Sequence, residues 1–283
     1  MSVSYTARET SKDYFVTKSE LLVIARAIAT DFAKLEMVEA ITLGGSLATG
    51  RANAGSDIDL YIYYSEPIPL ELRMNIIESR SSQMEFDAPY WGSEDYWIEK
   101  ESGILVEAAY ESKWPEDYLK DLFENNRAHM GFTTSVWHSL LKSKTLFDRN
   151  GWFASVQNLA NISYPESLAK AIIRKNFALL RGSLIEHPKQ LALAIERNDV
   201  IHVHHRIDMI LACYFDVVFA LNRKLHPGDK RMLEVTAAFE HKPQGMLEDV
   251  TGLLQEKDFT KLKTRVDQLI DRLEILLKDQ NAL

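Results

Sequence analysis

Between Thr17 and Phe32 the apolar residues Leu21, Leu22, Ala25, Ile28, Ala29 and Phe32 recur at three- and four-residue intervals. That is the period of one helical face, and Thr17 with Glu20 has capping-box spacing, so the pattern predicts a helix over 18–35. Val38 to Leu43 is a short apolar run that predicts a strand, Gly44-Gly45-Ser46 punctuates it, and Asp57 to Tyr64 alternates as a second strand does. Pro69 to Gln83 has a helical period, and Tyr96–Glu99 with Ile104–Tyr110 predict hairpin strands across Lys100-Glu101-Ser102-Gly103. From Pro115 onward the period is almost wholly helical, with segments over 116–126, 133–143, 152–160, 165–186, 188–197, 199–224, 229–240, 244–255 and 259–279. The change of period falls near residue 130. The expected fold class is therefore α+β: a mixed sheet with helices over 1–130, then a helical bundle over 131–283.

Composition supports two packed domains. The chain has 283 residues, 46% of them hydrophobic and 26% charged, enough apolar surface for two real cores. Cys213 is the single cysteine, so the chain forms no internal disulfide and no multi-cysteine metal site, which fits a cytoplasmic location. The opening MSVSYTARETSKDYF is too polar for a signal peptide, and the apolar stretch Met209–Leu221 is short and broken by Asp216, so no membrane partner is expected. Charge is uneven: residues 1–130 hold 12 Lys and Arg against 23 Asp and Glu, whereas residues 131–283 hold 21 against 18. So acidic a first half repels a polyanion, which excludes extended nucleic acid as a partner and favours a small, cationic one. The same acidity also reads as a solvated surface kept for solubility.

In Ser56-Asp57-Ile58-Asp59-Leu60, strand alternation sends Asp57 and Asp59 to one face while Ile58, Leu60 and Ile62 go to the other. Two carboxylates so close repel unless a cation neutralises them, and magnesium, which takes a few carboxylates together with water and phosphate oxygens, fits the pair. A D-x-D pair on a solvated face is the plainer alternative. Upstream, Gly44-Gly45-Ser46 closes one strand and opens a short helix, presenting backbone N–H groups and a hydroxyl suited to phosphates, with no Cβ in the way at the glycines.

The run GGSLATGRANAGSDIDLYIYY, residues 44–64, resembles the signature of the nucleotidyltransferase superfamily that includes DNA polymerase beta, in both halves and in their spacing. The wider plan, a polymerase-beta-like domain followed by a helical bundle, is similar to the kanamycin and lincosamide nucleotidyltransferases and to uncharacterised bacterial relatives, one group of which the segment VVFALNRKLHPGDKRM (217–232) also resembles. The resemblance implies a nucleotide site made by Gly44, Gly45, Ser46, Arg51 and Ser56, with Gly45 and Ser46 on the β and γ phosphates. It implies that Asp57 and Asp59 bind metal, most simply two Mg²⁺ ions, and that a third carboxylate lies on a later strand. Glu107, a charge interrupting the apolar run Ile104–Tyr110, is the candidate, as metal ligand or as general base. Relatives more often carry Asp at this place.

The function so implied is magnesium-dependent transfer of a nucleoside monophosphate, AMP from ATP or its counterpart from another nucleoside triphosphate, to a hydroxyl of a small molecule held by the helical domain. An aminoglycoside or lincosamide is the acceptor the resemblance offers, hence a link to antibiotic resistance. The protein is expected as a monomer or homodimer. The alternatives are nucleotidylation of a protein acceptor, as in toxin–antitoxin systems, and a non-catalytic nucleotide-binding regulator. A third comes from Arg197-Asn198-Asp199-Val200-Ile201-His202, which resembles the R-N-x-x-x-H ribonuclease motif of HEPN domains but also reads as a helix cap. Arg51, Lys175 and Arg181 are the candidate phosphate cations, each of which reads more simply as a surface charge, and His202, His204 and His205 read as a polar cluster rather than a zinc site. Trp91, Trp97, Trp114, Trp137 and Trp152 read as packing residues or as stacking platforms for an acceptor.

Overall fold

The computed structural model describes residues 16–53, 55–88, 90 and 92–283. They open with α1 (Lys18–Phe32), and the capping box is complete: the Glu20 N–H donates to Thr17 Oγ1 and the Thr17 N–H to Glu20 Oε2. Then follow β1 (Val38–Leu43), α2 (Gly45–Thr49), β2 (Ile58–Tyr64), α3 (Leu70–Ile77), β3 (Ser81–Ala88), β4 (Glu94–Glu99) and β5 (Leu105–Glu111). The remainder comprises α4 (Trp114–Glu124), α5 (Ser135–Lys142), β6 (Lys144–Asp148), α6 (Trp152–Ala160), α7 (Glu166–Leu180), α8 (His187–Glu196), α9 (Val200–Leu221), α10 (Met232–Thr236), α11 (Met246–Gln255) and α12 (Phe259–Asp279). The α+β class is as the sequence predicts, and five of the six strands precede the helical stretch.

The six strands form one mixed sheet in the order β3-β4-β5-β2-β1-β6. Only β2 and β5, at its centre, run parallel; every other pair is antiparallel. One face is apolar: Ile58, Leu60 and Ile62 of β2 and Val106 and Ala108 of β5 pack with Leu21, Ala25, Ile28 and Phe32 of α1. Beneath it a buried ion pair joins Arg73 of α3 to Asp95 of β4 at 2.6 Å, with the Tyr110 hydroxyl and the Asp87 N–H also donating to Asp95.

Two strands escape the sequence reading. Ser81–Ala88 lies partly inside the helix predicted over Pro69–Gln83, but α3 stops at Ile77 and the chain turns back as edge strand β3. Only its end residues are buried, so it carries no alternation to read. β6 interrupts the stretch predicted as helical; none of its five residues is fully buried, though Leu146 and Phe147 pack against the core, and its backbone pairs with β1. Beside it Arg149 donates to the carbonyls of Val38, Ala33 and Leu35, fixing the end of β6 to the α1–β1 turn.

The chain forms two compact units. One takes the described residues up to Trp114 together with Lys142–Asn158; the other takes Pro115–Leu141 and Leu159–Leu283. The chain thus passes between them three times, where the sequence predicts one passage near residue 130. In the helical unit α9 is the central element, and every residue from Ala212 to Leu221 is buried. Asp216 sits within that run, where its carboxylate accepts from Thr133 N–H, Thr133 Oγ1 and Asn176 Nδ2. A charge so buried persists because three donors surround it.

Candidate active site

The signature residues lie at the carboxyl end of β1 and the start of β2. Gly44 follows β1 and donates its N–H to the Asp59 carbonyl at 2.9 Å, so the glycine turn is pinned to β2. Gly45 then opens α2 at φ +55, a conformation that favours glycine, and a Cβ there would lie 1.7 Å from Asp59 Oδ2. A Cβ on Gly44 would meet the Tyr61 ring at 2.5 Å. The turn therefore lies directly against the Asp59 carboxylate and the Tyr61 ring, and no larger residue fits at either glycine.

Asp59 and Glu107 are register partners across the parallel β2–β5 pair, so the two carboxylates occupy neighbouring positions on one face. Strand β5 lies between β4 and β2, which places Glu107 in the middle of the sheet and not at its edge. Asp57 immediately precedes β2 and is half-buried. Among the described residues no three or more His, Cys, Asp or Glu side chains form a ready metal cage. What the fold assembles is a broader acidic face: Asp59 and Tyr61 on β2, Glu107 and Glu111 on β5, Glu94 and Tyr96 on β4. Burial holds the Tyr61 phenol above its ordinary pKa, and Asp59, Glu111, Glu94 and Glu107 push it further the same way. Burial likewise raises Glu111, with Glu94 adding to it against a hydrogen bond from Trp114. Past Tyr61 the face is closed by Trp152 and Phe153, both packed on Tyr63.

Ser46 Oγ is buried and has no hydrogen-bond partner. An orphan hydroxyl on the residue after Gly45, whose main chain lies against the Asp59 carboxylate, suits phosphate oxygens, and the carboxylate suits a hard cation. Ser56 is engaged differently: its hydroxyl donates to Asn53 Oδ1 and accepts from the Asn53 N–H, closing the loop ahead of β2. Arg51 is exposed just after α2, its N–H bonded to the Ser46 carbonyl.

Sequence reasoning missed Lys144, because it missed β6. Its ammonium donates to the Leu47 carbonyl at 3.2 Å, and Lys18 Nζ lies 3.6 Å from where a Cβ on Gly50 would stand, so two cations flank the carboxyl end of α2. Lys175 and Arg181 are spoken for within the helical unit, Lys175 by the Ala128 carbonyl and Arg181 by Asp271 and Glu274. Asp199 caps α9 by accepting from the His202 N–H, and Arg206 donates to His202 Nε2, so capping accounts for Asn198-Asp199. Trp97 and Trp137 are fully buried, Trp114 is 38% exposed, and Trp91 lies outside the described residues.

Residues 25–128 match the family model for the nucleotidyltransferase domain, a span that contains the whole signature and Glu107. The chain carries that domain and is a nucleotidyltransferase enzyme. Solved structures similar to it include a nucleotidyltransferase-like protein from Exiguobacterium sibiricum 255-15, at 12% identity, TM-score 0.45, covering 90% of this chain and 74% of that one. Another is the STING-associated CdnE c-di-GMP synthase from Capnocytophaga granulosa, at 13% identity, TM-score 0.29, covering 94% and 82%. No curated protein matches the chain.

Proposed function

We propose that the protein transfers a nucleoside monophosphate, AMP from ATP in the first instance, to a hydroxyl of a small acceptor, using magnesium held by Asp57, Asp59 and Glu107. The observation that carries this reading is the pairing of Asp59 with Glu107 across the central parallel strands, with Gly45 seated against the Asp59 carboxylate. Bound magnesium would supply positive charge to the oxygens that gain negative charge in phosphoryl transfer. The chain's own contribution is placement. Gly44 and Gly45 admit the triphosphate to the main chain, and the Ser46 hydroxyl donates to its phosphates. Asp57, Asp59 and Glu107 supply oxygen ligands from a scaffold that the sheet keeps rigid. The acceptor oxygen attacks the α phosphorus, the bond to the bridging oxygen breaks, pyrophosphate leaves with the electron pair, and the acceptor proton passes to Glu107 or to solvent. The acidic face favours a cationic acceptor such as an aminoglycoside, and Arg51, which follows α2 in the chain, would serve as a phosphate cation.

The test is label transfer from α-labelled triphosphates, with Mg²⁺, to a panel of aminoglycosides, lincosamides and proteins. Asp59→Ala is expected to lower transfer about 10³-fold or more, because a charged ligand acting in the transition state is lost. ATP binding without Mg²⁺-dependent release of pyrophosphate from ATP, whichever acceptor is supplied, would instead make the domain a nucleotide-binding regulator.

A further inference from the structure

The helical unit contains a cavity of about 340 Å³, set between α9, the segment from His226 to α10, and α11. Its size lies in the range of small-molecule sites, roughly 300–1,000 Å³. The wall is largely apolar, with Leu211, Phe215 and Val250 prominent, and Phe132 and Leu254 stand at it 37% and 59% exposed. Charged residues also line it: Asp208, Asp229 and Glu234 against the single cation Arg231.

His226 is the polar group of the wall that lacks its partner. It is fully buried, ringed by Phe132 and Phe219 at 4.8 and 4.6 Å between centroids. The Gly228 N–H donates to its Nδ1, which therefore carries a lone pair. Burial, with nearby His138 adding to it, pushes the ring's pKa down to about 4, so the ring is neutral at pH 7 and its one proton sits on Nε2. That Nε2–H is buried and has no acceptor. A buried donor left unpaired is costly, and such a group asks for an oxygen.

The backbone around the cavity is held in conformations that need support. Phe132 has φ +54 and Arg231 has φ +59, both in the left-handed region that bulky side chains avoid. Phe132 is kept there from both sides: Gly131 donates to Asn176 Oδ1, Thr133 donates to Asp216, and a Cβ on Gly131 would lie 2.9 Å from Ala212 Cβ. Thr134 Oγ1 accepts from the His226 N–H and so ties the same loop to the histidine. Strain maintained by a buried polar network at the wall of a cavity is the pattern found at ligand clamps.

We propose that this cavity is a binding site for a small cationic amphiphile: an apolar or aromatic body between Phe132, Phe215 and Leu254, an acceptor oxygen on His226 Nε2–H, and an ammonium toward Asp208, Asp229 and Glu234. The site belongs wholly to the helical unit, and its existence does not depend on the nucleotide-transfer reading.

The probe is 4-amino-N-(2-diethylaminoethyl)benzamide, which carries a ring, a carbonyl oxygen and an ammonium. Its analogue with CH₂–CH₂ in place of the C(=O)–NH link, which keeps a single ammonium, and the anion hippurate are the controls. Binding to the full chain is followed by ligand-observed NMR and calorimetry. The amide is expected to bind about five- to tenfold more tightly than the methylene analogue and hippurate more weakly than either, the effect of one buried hydrogen bond and of the rim charge. His226→Phe should abolish the preference for the carbonyl and His226→Gln, which keeps a donor, should restore part of it. Because a buried histidine can also affect folding, the exposed pair Asp208→Lys and Asp229→Lys serves as a second variant, in which hippurate should overtake the amide. No binding of the amide at millimolar concentration, equal binding of all three probes, or an unchanged order in the double lysine variant would each overturn the proposal.

Discussion

Ser46 and Gly45 are neighbours with opposite tests. Because the Ser46 hydroxyl has no partner in the folded protein, Ser46→Ala removes no internal hydrogen bond. Thermal unfolding should stay unchanged while the KM for the triphosphate rises about tenfold or more, the loss of a hydrogen bond to a charged group. Unchanged kinetics would remove Ser46 from the phosphate site. Gly45→Ala acts through shape: its Cβ would overlap Asp59 Oδ2, and its φ of +55 disfavours a side chain. The carboxylate must shift by about an ångström, a displacement expected to lower transfer by about 10²-fold while far-ultraviolet circular dichroism is retained. Both residues were legible in the sequence, since glycine and serine in a strand–turn–helix context announce their chemistry. The orphaned state of the hydroxyl was not, because hydrogen-bond satisfaction belongs to neighbours distant in sequence.

At the scale of elements, buried polar groups bind helices to strands and should govern stability. Arg73→Met leaves Asp95, fully buried, without its cation and is expected to cost about 3–5 kcal/mol, read as a shift of the urea midpoint. Around α9 two buried groups give pH dependences of opposite sign. Asp216 has its pKa raised from 3.8 to about 6 by burial, against the hydrogen bonds from Thr133 and Asn176. Its folded form holds the proton more tightly than the unfolded chain, so its contribution is full below pH 3.8 and is lost as pH rises through 6. His226, lowered from 6.5 to about 4, contributes stability above 6.5 that is lost as pH falls toward 4. Each amounts to on the order of 2–3 kcal/mol, and over pH 4–6 they oppose each other. Relative to the wild type, Asp216→Asn should therefore gain stability with rising pH across that window and His226→Gln should lose it, as urea titrations at each pH will show. A flat difference for either variant would mean that its group is solvated in the folded protein.

At the scale of the whole molecule, the order of elements along the chain differs from their grouping in space. Residues 142–158 return to the sheet-bearing unit, bringing β6 to the edge of β1, Arg149 to three carbonyls of the α1–β1 turn, and Trp152 and Phe153 to Tyr63. A chain ending at residue 130 would leave β1 as an open edge and Tyr63 uncovered. It is expected to lack cooperative unfolding and to show no slow-exchanging amides in β1. Slow exchange there in the truncated chain would show that the return passage is dispensable.

What the sequence by itself determined is local. The helical periods, the capping box at Thr17, the glycine-serine turn and the aspartates at 57 and 59 all follow from residue type and spacing within about twenty positions, where backbone preference and alternation act. Tertiary structure alone decided which distant partners meet: Glu107 opposite Asp59, Lys144 at the end of α2, strands β3 and β6 at the edges, and His226 walled into a cavity. Edge strands with exposed side chains carry no hydrophobic alternation, and a parallel pairing between strands more than forty residues apart leaves no periodic trace, because the backbone hydrogen bonds that create both do not depend on side-chain identity.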